Sequence, residues 1–415
     1  SALYFRRRVA SAGGLYQVPL KDAGKPPRKL ADQVGDFHLT PDGQTIAFVR
    51  DPAAFTSGAG LRLGDFYRVR LPGRRLHVVT DPELAERILV HDAAHFEKSR
   101  IYWGELRRSL GESMGALEGP RWEYLHQVER PFFTPEAVGG YLPAIERQTT
   151  LHLDRLAQGL AARPEVAVLD VLGELNARIV LGALFGQPDE PAALELAQHI
   201  ADGHALIAWK DRWPWRPALA WFNGVGRRAA RHKLALGGYA GRVRLSPSAA
   251  DPRLLLHALL RIVRDPAAPS FPDDLLRNEI AFHLGASTET QAAATGWALY
   301  LLWKHPDTLE RLRDELARVA GESLVSAQHV PALAYARQVL QEALRLFPPV
   351  FAILRDCVRP LDLPGCAARS GDTFLVSVNG LHRNPRLWSD ADGFRPERFG
   401  PDQAAGIGRY HYLPF

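Results

Sequence analysis

The chain has 415 residues, 46% of them hydrophobic, and carries 51 basic against 46 acidic side chains for a formal charge of +5. It is long and apolar enough to bury a large core. The basic excess is thin and scattered over pairs such as Arg74-Arg75, Arg107-Arg108 and Arg227-Arg228, which excludes a nucleic-acid-binding stripe but leaves room for a local basic face toward an acidic protein.

Residues 1–36 are rich in Gly, Lys and Pro without a clear period, and read as an N-terminal extension of low order; the remainder, 37–415, reads as one domain. In DFYRVRLPGRRLHVVTDP, the alternation of Phe66, Val69 and Leu71 with Leu76 and Val78 around Pro72-Gly73 predicts a β-hairpin. Asp81-Pro82 then starts a short helix that places Leu84, Ile88 and Leu89 on one face. From about residue 104 to 345 the period is helical, interrupted at Pro131, Pro135, Pro188, Pro214–Pro217, Pro247 and Pro266–Pro272. The longest helix is expected from about Asp273 to Lys304. After Pro348-Pro349 the segments FAILRD, PLDLPG and DTFLVSVNG read as short strands. The expected fold class is mainly α with small β-sheets.

Cys357 and Cys366 are the two cysteines, in no CxxC or other ligand spacing. Their scarcity argues for a reducing, cytoplasmic compartment and against a disulfide framework. No run of about 18 uninterrupted apolar residues suggests an integral membrane segment.

Several side chains stand in patterns suited to chemistry. In VLQEALRLFPPV, Glu342 and Arg345 lie three apart beside the apolar residues Val339, Leu340, Ala343, Leu344 and Leu346, which predicts a buried ion pair on a helix ended by the double proline. ExxR alone recurs by chance, and a buried pair needs further partners for its donors and lone pairs; Arg398 is a candidate. In HLGASTETQ, Glu289 and Thr290 interrupt an Ala-rich helix, where a Thr hydroxyl tends to bond back to the i−4 carbonyl and bend the helix. In GPRWEYLHQVE, Trp122 and His126 stand at i,i+4 and offer two donors on one face, suited to an anionic group.

ExxR at Glu342–Arg345, HRNP at His382–Pro385 and PERF at Pro396–Phe399, in this order, resemble the cytochrome P450 family, over roughly residues 37–415. The resemblance implies a P450-like fold with a structural triad of Glu342, Arg345 and Arg398, and a heme b cofactor. Glu289 and Thr290 take the places of the family's acid and alcohol, with Ser287 where Gly is usual and Gln291 where a second hydroxyl is usual. Trp122, His126 and Arg355 match propionate-holding positions, His126 replacing the commoner Arg. Ala286, Val350, Phe351 and Ile353 match substrate-pocket positions. AWKDRWPWRPALAWF, with Trp209, Trp213, Trp215 and Trp221, falls where the family has a mobile lid.

The function implied is a haem-thiolate monooxygenase of bacterial, soluble type, inserting one oxygen atom from O2 into an apolar small molecule, with electrons from a ferredoxin or flavodoxin-type donor. Two alternatives are a peroxide-using or isomerising relative and a haemless P450-like binding protein. The family's axial cysteine sits in a Gly-containing loop that often begins like YLPF, so the metal ligand is expected seven residues beyond Phe415, and neither Cys357 nor Cys366 is expected to replace it. A chain ending at Phe415 is therefore expected to lack its axial ligand, to be inactive by itself, and to expose the basic side of the triad.

Overall fold

The computed structural model of the protein describes residues 63–162, 167–186, 225–323 and 325–414, with short breaks at 72–73, 102, 105–106, 108–110 and 263–264, together with the backbones of four strands between residues 14 and 48. Trp209, Trp213, Trp215 and Trp221 of the expected lid and the Pro72-Gly73 turn lie outside the described residues.

The four N-terminal strands are β1 (Gly14–Pro19), β2 (Arg28–Asp32), β3 (His38–Leu39) and β4 (Thr45–Phe48), joined in the antiparallel order β2-β1-β4-β3. β1 and β2 fall inside residues 1–36, where the sequence shows no clear period. A ladder is built from backbone groups, so pairing needs no apolar alternation in the strands that form it.

The expected hairpin is β5 (Phe66–Leu71) and β6 (Arg74–Val79), paired from Phe66↔Val79 to Leu71↔Arg74. The carboxylate of Asp81 accepts the Leu84 N–H at 2.7 Å and Pro82 fills the first helical position, the two devices that start a helix cheaply. This helix, α1 (Pro82–Glu86), continues as a π-helical turn over Arg87–His91 and buries Leu84 and Ile88 as the spacing predicted. Strand β7 (Phe96–Lys98) follows.

The helical body comprises α2 (Gly119–Glu129), α3 (Pro135–Ala162), α4 (Val168–Phe185), α5 (Val225–Arg244), α6 (Leu255–Ile262), α7 (Leu275–Lys304), α8 (Pro306–Ala320) and α9 (Ala334–Leu346). A 3-10 turn at Arg130–Phe133 separates α2 from α3, where Pro131 cannot donate the next helical hydrogen bond. Beyond α9 come β8 (Ala352–Cys357), β9 (Leu361–Leu363), β10 (Cys366–Ala368), β11 (Thr373–Ser377) and the short α10 (Val378–His382). A five-stranded sheet has the order β5-β6-β11-β8-β7, with β6 and β11 parallel. The fold is mainly helical with small sheets, as composition and period predicted.

Packing resolves two compact units, one of residues 1–99, 297–312 and 334–415, the other of 100–296 and 313–333. The core of the first lies on the five-stranded sheet, with Val79, Ile88, Phe374, Val376 and Leu381 all fully buried. In the second, Leu125, Leu181, Phe185, Tyr239, Leu255 and Ile280 form a fully buried core between helices.

Candidate active site

Within the sheet-containing unit, α9 ends in a hydrogen-bonded knot around Glu342. Glu342 and Arg345 are both completely buried and their forks meet in two bonds, Arg345 Nε to Oε2 at 2.7 Å and Nη2 to Oε1 at 2.8 Å. Arg398 Nε donates to Glu342 Oε1 at 3.2 Å, and the Arg395 N–H donates to the same oxygen at 2.9 Å. Further guanidinium hydrogens find backbone acceptors. Arg345 donates to the carbonyls of His382, Ala391 and Gly393 at 2.7, 2.7 and 3.0 Å, and Arg398 to those of Ser389 and Asp390. The two arginines thus lie in a nest of carbonyls from residues 382–393, and the triad predicted from the sequence forms. The expected exposure of its basic side is corrected, because backbone carbonyls of the HRNP-to-PERF loop cover it.

His382, read from the sequence only as the first letter of HRNP, proves to be a structural member of this knot. Its ring is completely buried; Nδ1 faces the Arg345 carbonyl at 3.1 Å and Nε2 accepts the Leu413 N–H at 2.8 Å. Burial, opposed in part by the hydrogen bond to the Arg345 carbonyl, pushes its pKa down to about 3. Trp388 closes the knot, its indole N–H bonded to the Leu381 carbonyl at 3.0 Å and its ring under the Arg345 guanidinium.

On β8 of the same unit, Arg355 donates from Nη1 to the Leu354 carbonyl at 3.0 Å. Val350 and Phe351, ahead of the strand, are 38% and 40% exposed, whereas Ile353 packs partly against the sheet core. Cys357 is buried and its thiol donates to the Arg359 carbonyl at 3.2 Å. Cys366 Sγ lies 3.7 Å from His77 Nδ1. Burial pushes both thiols above their ordinary pKa, the opposite of what a thiolate ligand needs.

In the helical unit, Trp122 and His126 share one face of α2 and their rings stack, with centroids 4.8 Å apart and 16° between planes. On α7, Ala286 is exposed while Glu289 and Thr290 are half-buried. The Thr290 hydroxyl donates to the Ala286 carbonyl at 2.5 Å, the i−4 back-bond the sequence predicted. Asn176 on α4 holds the adjacent Thr288 carbonyl at 3.3 Å, which ties this stretch of α7 to α4.

The profile of the family described as Cytochrome P450 matches residues 54–415, most of the chain. The chain belongs to the cytochrome P450 family. Relatives include the cyclooctat-9-en-7-ol 5-monooxygenase of Streptomyces melanosporofaciens, 26% identical over 96% of this chain and 86% of its own length. The amorpha-4,11-diene 12-monooxygenase of Artemisia annua is 26% identical over 81% of this chain and 70% of its own. The germacrene A hydroxylase of Tanacetum parthenium is also 26% identical, over 81% and 71%.

Membership in the P450 family implies haem. The indole, imidazole and guanidinium of Trp122, His126 and Arg355 are the donor types that haem carboxylates take, and α2 presents the first two side by side. Cys357 and Cys366 do not fit the thiolate role. No helix among the described residues is long and apolar enough to cross a membrane.

Proposed function

We propose that this P450 chain is the catalytic scaffold of a monooxygenase that inserts one oxygen atom from O2 into an unsaturated, apolar small molecule by hydroxylation or epoxidation. Two electrons and two protons reduce the second oxygen atom to water, so that RH + O2 + 2 e− + 2 H+ becomes ROH + H2O. Haem, when bound, supplies the O–O cleavage. Residues 37–415 act as one P450-like domain, a reading supported by the family match over residues 54–415.

The observation that carries the proposal is the Thr290 hydroxyl on α7. Its hydrogen is committed to the Ala286 carbonyl, so its oxygen lone pairs remain to accept a proton or a water hydrogen, and Glu289 next to it offers a carboxyl for resupply. Trp122, His126 and Arg355 would hold the haem propionates. Ala286, Val350, Phe351 and Ile353 would contact substrate. The names of the three relatives describe oxygenation of olefinic skeletons, which supports an apolar olefin as the substrate class here. Electrons would come from a separate ferredoxin or flavodoxin-type protein, and the two free thiols support a reducing, cytoplasmic setting.

The test is turnover of the haem-loaded protein with amorpha-4,11-diene as the probe, under oxygen-18 gas, with NADPH and surrogate redox proteins. The expected result is a product carrying one labelled oxygen. Label derived from water instead, or turnover with peroxide alone, would replace this reading with the peroxide-using one.

A further inference from the structure

Three ionisable side chains outside the residues discussed above converge inside the helical unit. Glu129 is the last residue of α2, and Glu279 and His283 stand one turn apart on α7. Glu129 and Glu279 are completely buried and His283 is 4% exposed. Glu129 Oε2 lies 3.1 Å from His283 Nε2, and that nitrogen is 3.9 Å from Glu279 Oε2. One carboxylate oxygen from each Glu and one imidazole nitrogen all fall within 4.8 Å of one another. The other oxygen of Glu279 accepts the Met114 N–H at 2.8 Å, which aims the carboxylate. Glu129 Oε1, by contrast, is buried with no hydrogen-bond partner. The walls are aromatic: Phe133 stacks on the His283 ring at 5.5 Å, with Phe282 and Phe185 at 5.2 and 6.4 Å.

Glu129 Oε1 is a buried carboxylate oxygen with no hydrogen-bond partner, a costly arrangement that a bound cation would relieve. Ligands at 2.0–2.2 Å from a tetrahedral centre are separated by about 3.3–3.6 Å; the 3.1 Å hydrogen bond between His283 Nε2 and Glu129 and the 3.9 Å spacing to Glu279 lie on either side of that range, so small side-chain shifts would admit an ion. A divalent ion with two carboxylates and a neutral imidazole is electrically balanced, and the orphaned Glu129 Oε1 could complete the coordination.

We propose that Glu129, Glu279 and His283 form a zinc site that clamps the C-terminal end of α2 to α7. The Met114 backbone N–H holds the other oxygen of Glu279, the kind of contact that orients a ligand before the metal arrives. The sequence signal was Glu-x-x-x-His on one helix, too common by itself to single out without the third ligand from α2.

The test uses tag-free full-length chain, loaded with zinc, dialysed, and assayed for metal by plasma mass spectrometry and zinc X-ray absorption. The expected result is about one zinc per chain with a first shell of only oxygen and nitrogen at about 2.0–2.2 Å, and a thermal midpoint that rises with zinc and falls with chelator. Glu129→Gln and His283→Gln should each weaken zinc binding at least tenfold and abolish the response to chelator. Substoichiometric zinc, an unresponsive midpoint, or sulfur in the first shell would overturn the proposal, the last by moving the metal to Cys357 or Cys366. If a variant does not fold, the absorption spectrum and chelator response of the unsubstituted protein still decide. Zinc stoichiometry and the zinc absorption spectrum do not depend on haem, and the midpoints are compared at equal haem content, so the outcome is independent of the proposed monooxygenase activity.

Discussion

His382 is held neutral by its two neighbours. Nδ1 donates to the Arg345 carbonyl, so Nε2 must accept the Leu413 N–H, and a second proton would put N–H against N–H in a place that water does not reach. Its folded pKa of about 3 lies below the ordinary value, so between about pH 3 and 6.5 the unfolded chain binds one more proton than the folded one. The resulting stability is fully present above about pH 6.5 and is lost as pH falls toward 3, at up to about 1.4 kcal/mol per pH unit. Unfolding free energies of wild type and His382→Gln measured from pH 4 to 7 should converge as pH falls; a pH-independent gap would remove this role. Thr290 is the second informative residue, because its back-bonded hydroxyl is cheap to hold and specific in place. In the haem-loaded protein, Thr290→Ala should lower product formed per electron by roughly tenfold or more, release the difference as hydrogen peroxide, and leave the spectral binding constant of a ligand nearly unchanged. Unaltered coupling would take Thr290 out of the proton path.

The elements are locked at their ends. α9 terminates in the Glu342–Arg345–Arg398 triad, and Glu342 carries the only negative charge bonded to either guanidinium fork among the described contacts shorter than 3.5 Å. Glu342→Gln keeps the shape and leaves two buried cations facing an amide, a change expected to cost about 3–5 kcal/mol and to lower the urea midpoint without changing helix content at zero denaturant. α4 ends differently, at Gly186 with φ of 68°, its N–H bonded to the Gly182 carbonyl. A Cβ there would come within 2.7 Å of both Leu254 Cδ1 and Ser248 Oγ. Gly186→Ala should therefore lose at least about 1–2 kcal/mol, the ordinary left-handed penalty of an L-residue, and differential scanning calorimetry would show it as a lower midpoint.

At the scale of the whole molecule, the +5 charge is a thin excess of 51 basic over 46 acidic side chains scattered along the sequence, with room for a local basic face. Under the proposed function, reduction by an acidic ferredoxin should slow as salt rises from about 0.05 to 0.3 M, because screening shortens the range of the attraction. A rate indifferent to salt would argue for a partner that docks through apolar contact. The two thiols give a second test. Both are held above their ordinary pKa by burial, so Cys357→Ser and Cys366→Ser should leave haem content unchanged, whereas loss of haem in either variant would place the ligand there.

Local spacing alone determined a good part of this protein. Leu84 and Ile88 on one face, the β5–β6 alternation, the Glu342–Arg345 pair, the Trp122–His126 face and the Thr290 back-bond all follow from helix or strand period within one segment. Tertiary structure alone decided which distant segments meet. The parallel register of β6 on β11, the carbonyls of residues 382–393 that receive two guanidinium groups, and the approach of Glu129 to His283 leave no periodic trace. The reason is physical: every residue carries the same backbone carbonyl, so a nest of carbonyls has no compositional signature, and a buried charge reveals its partner only once two elements pack.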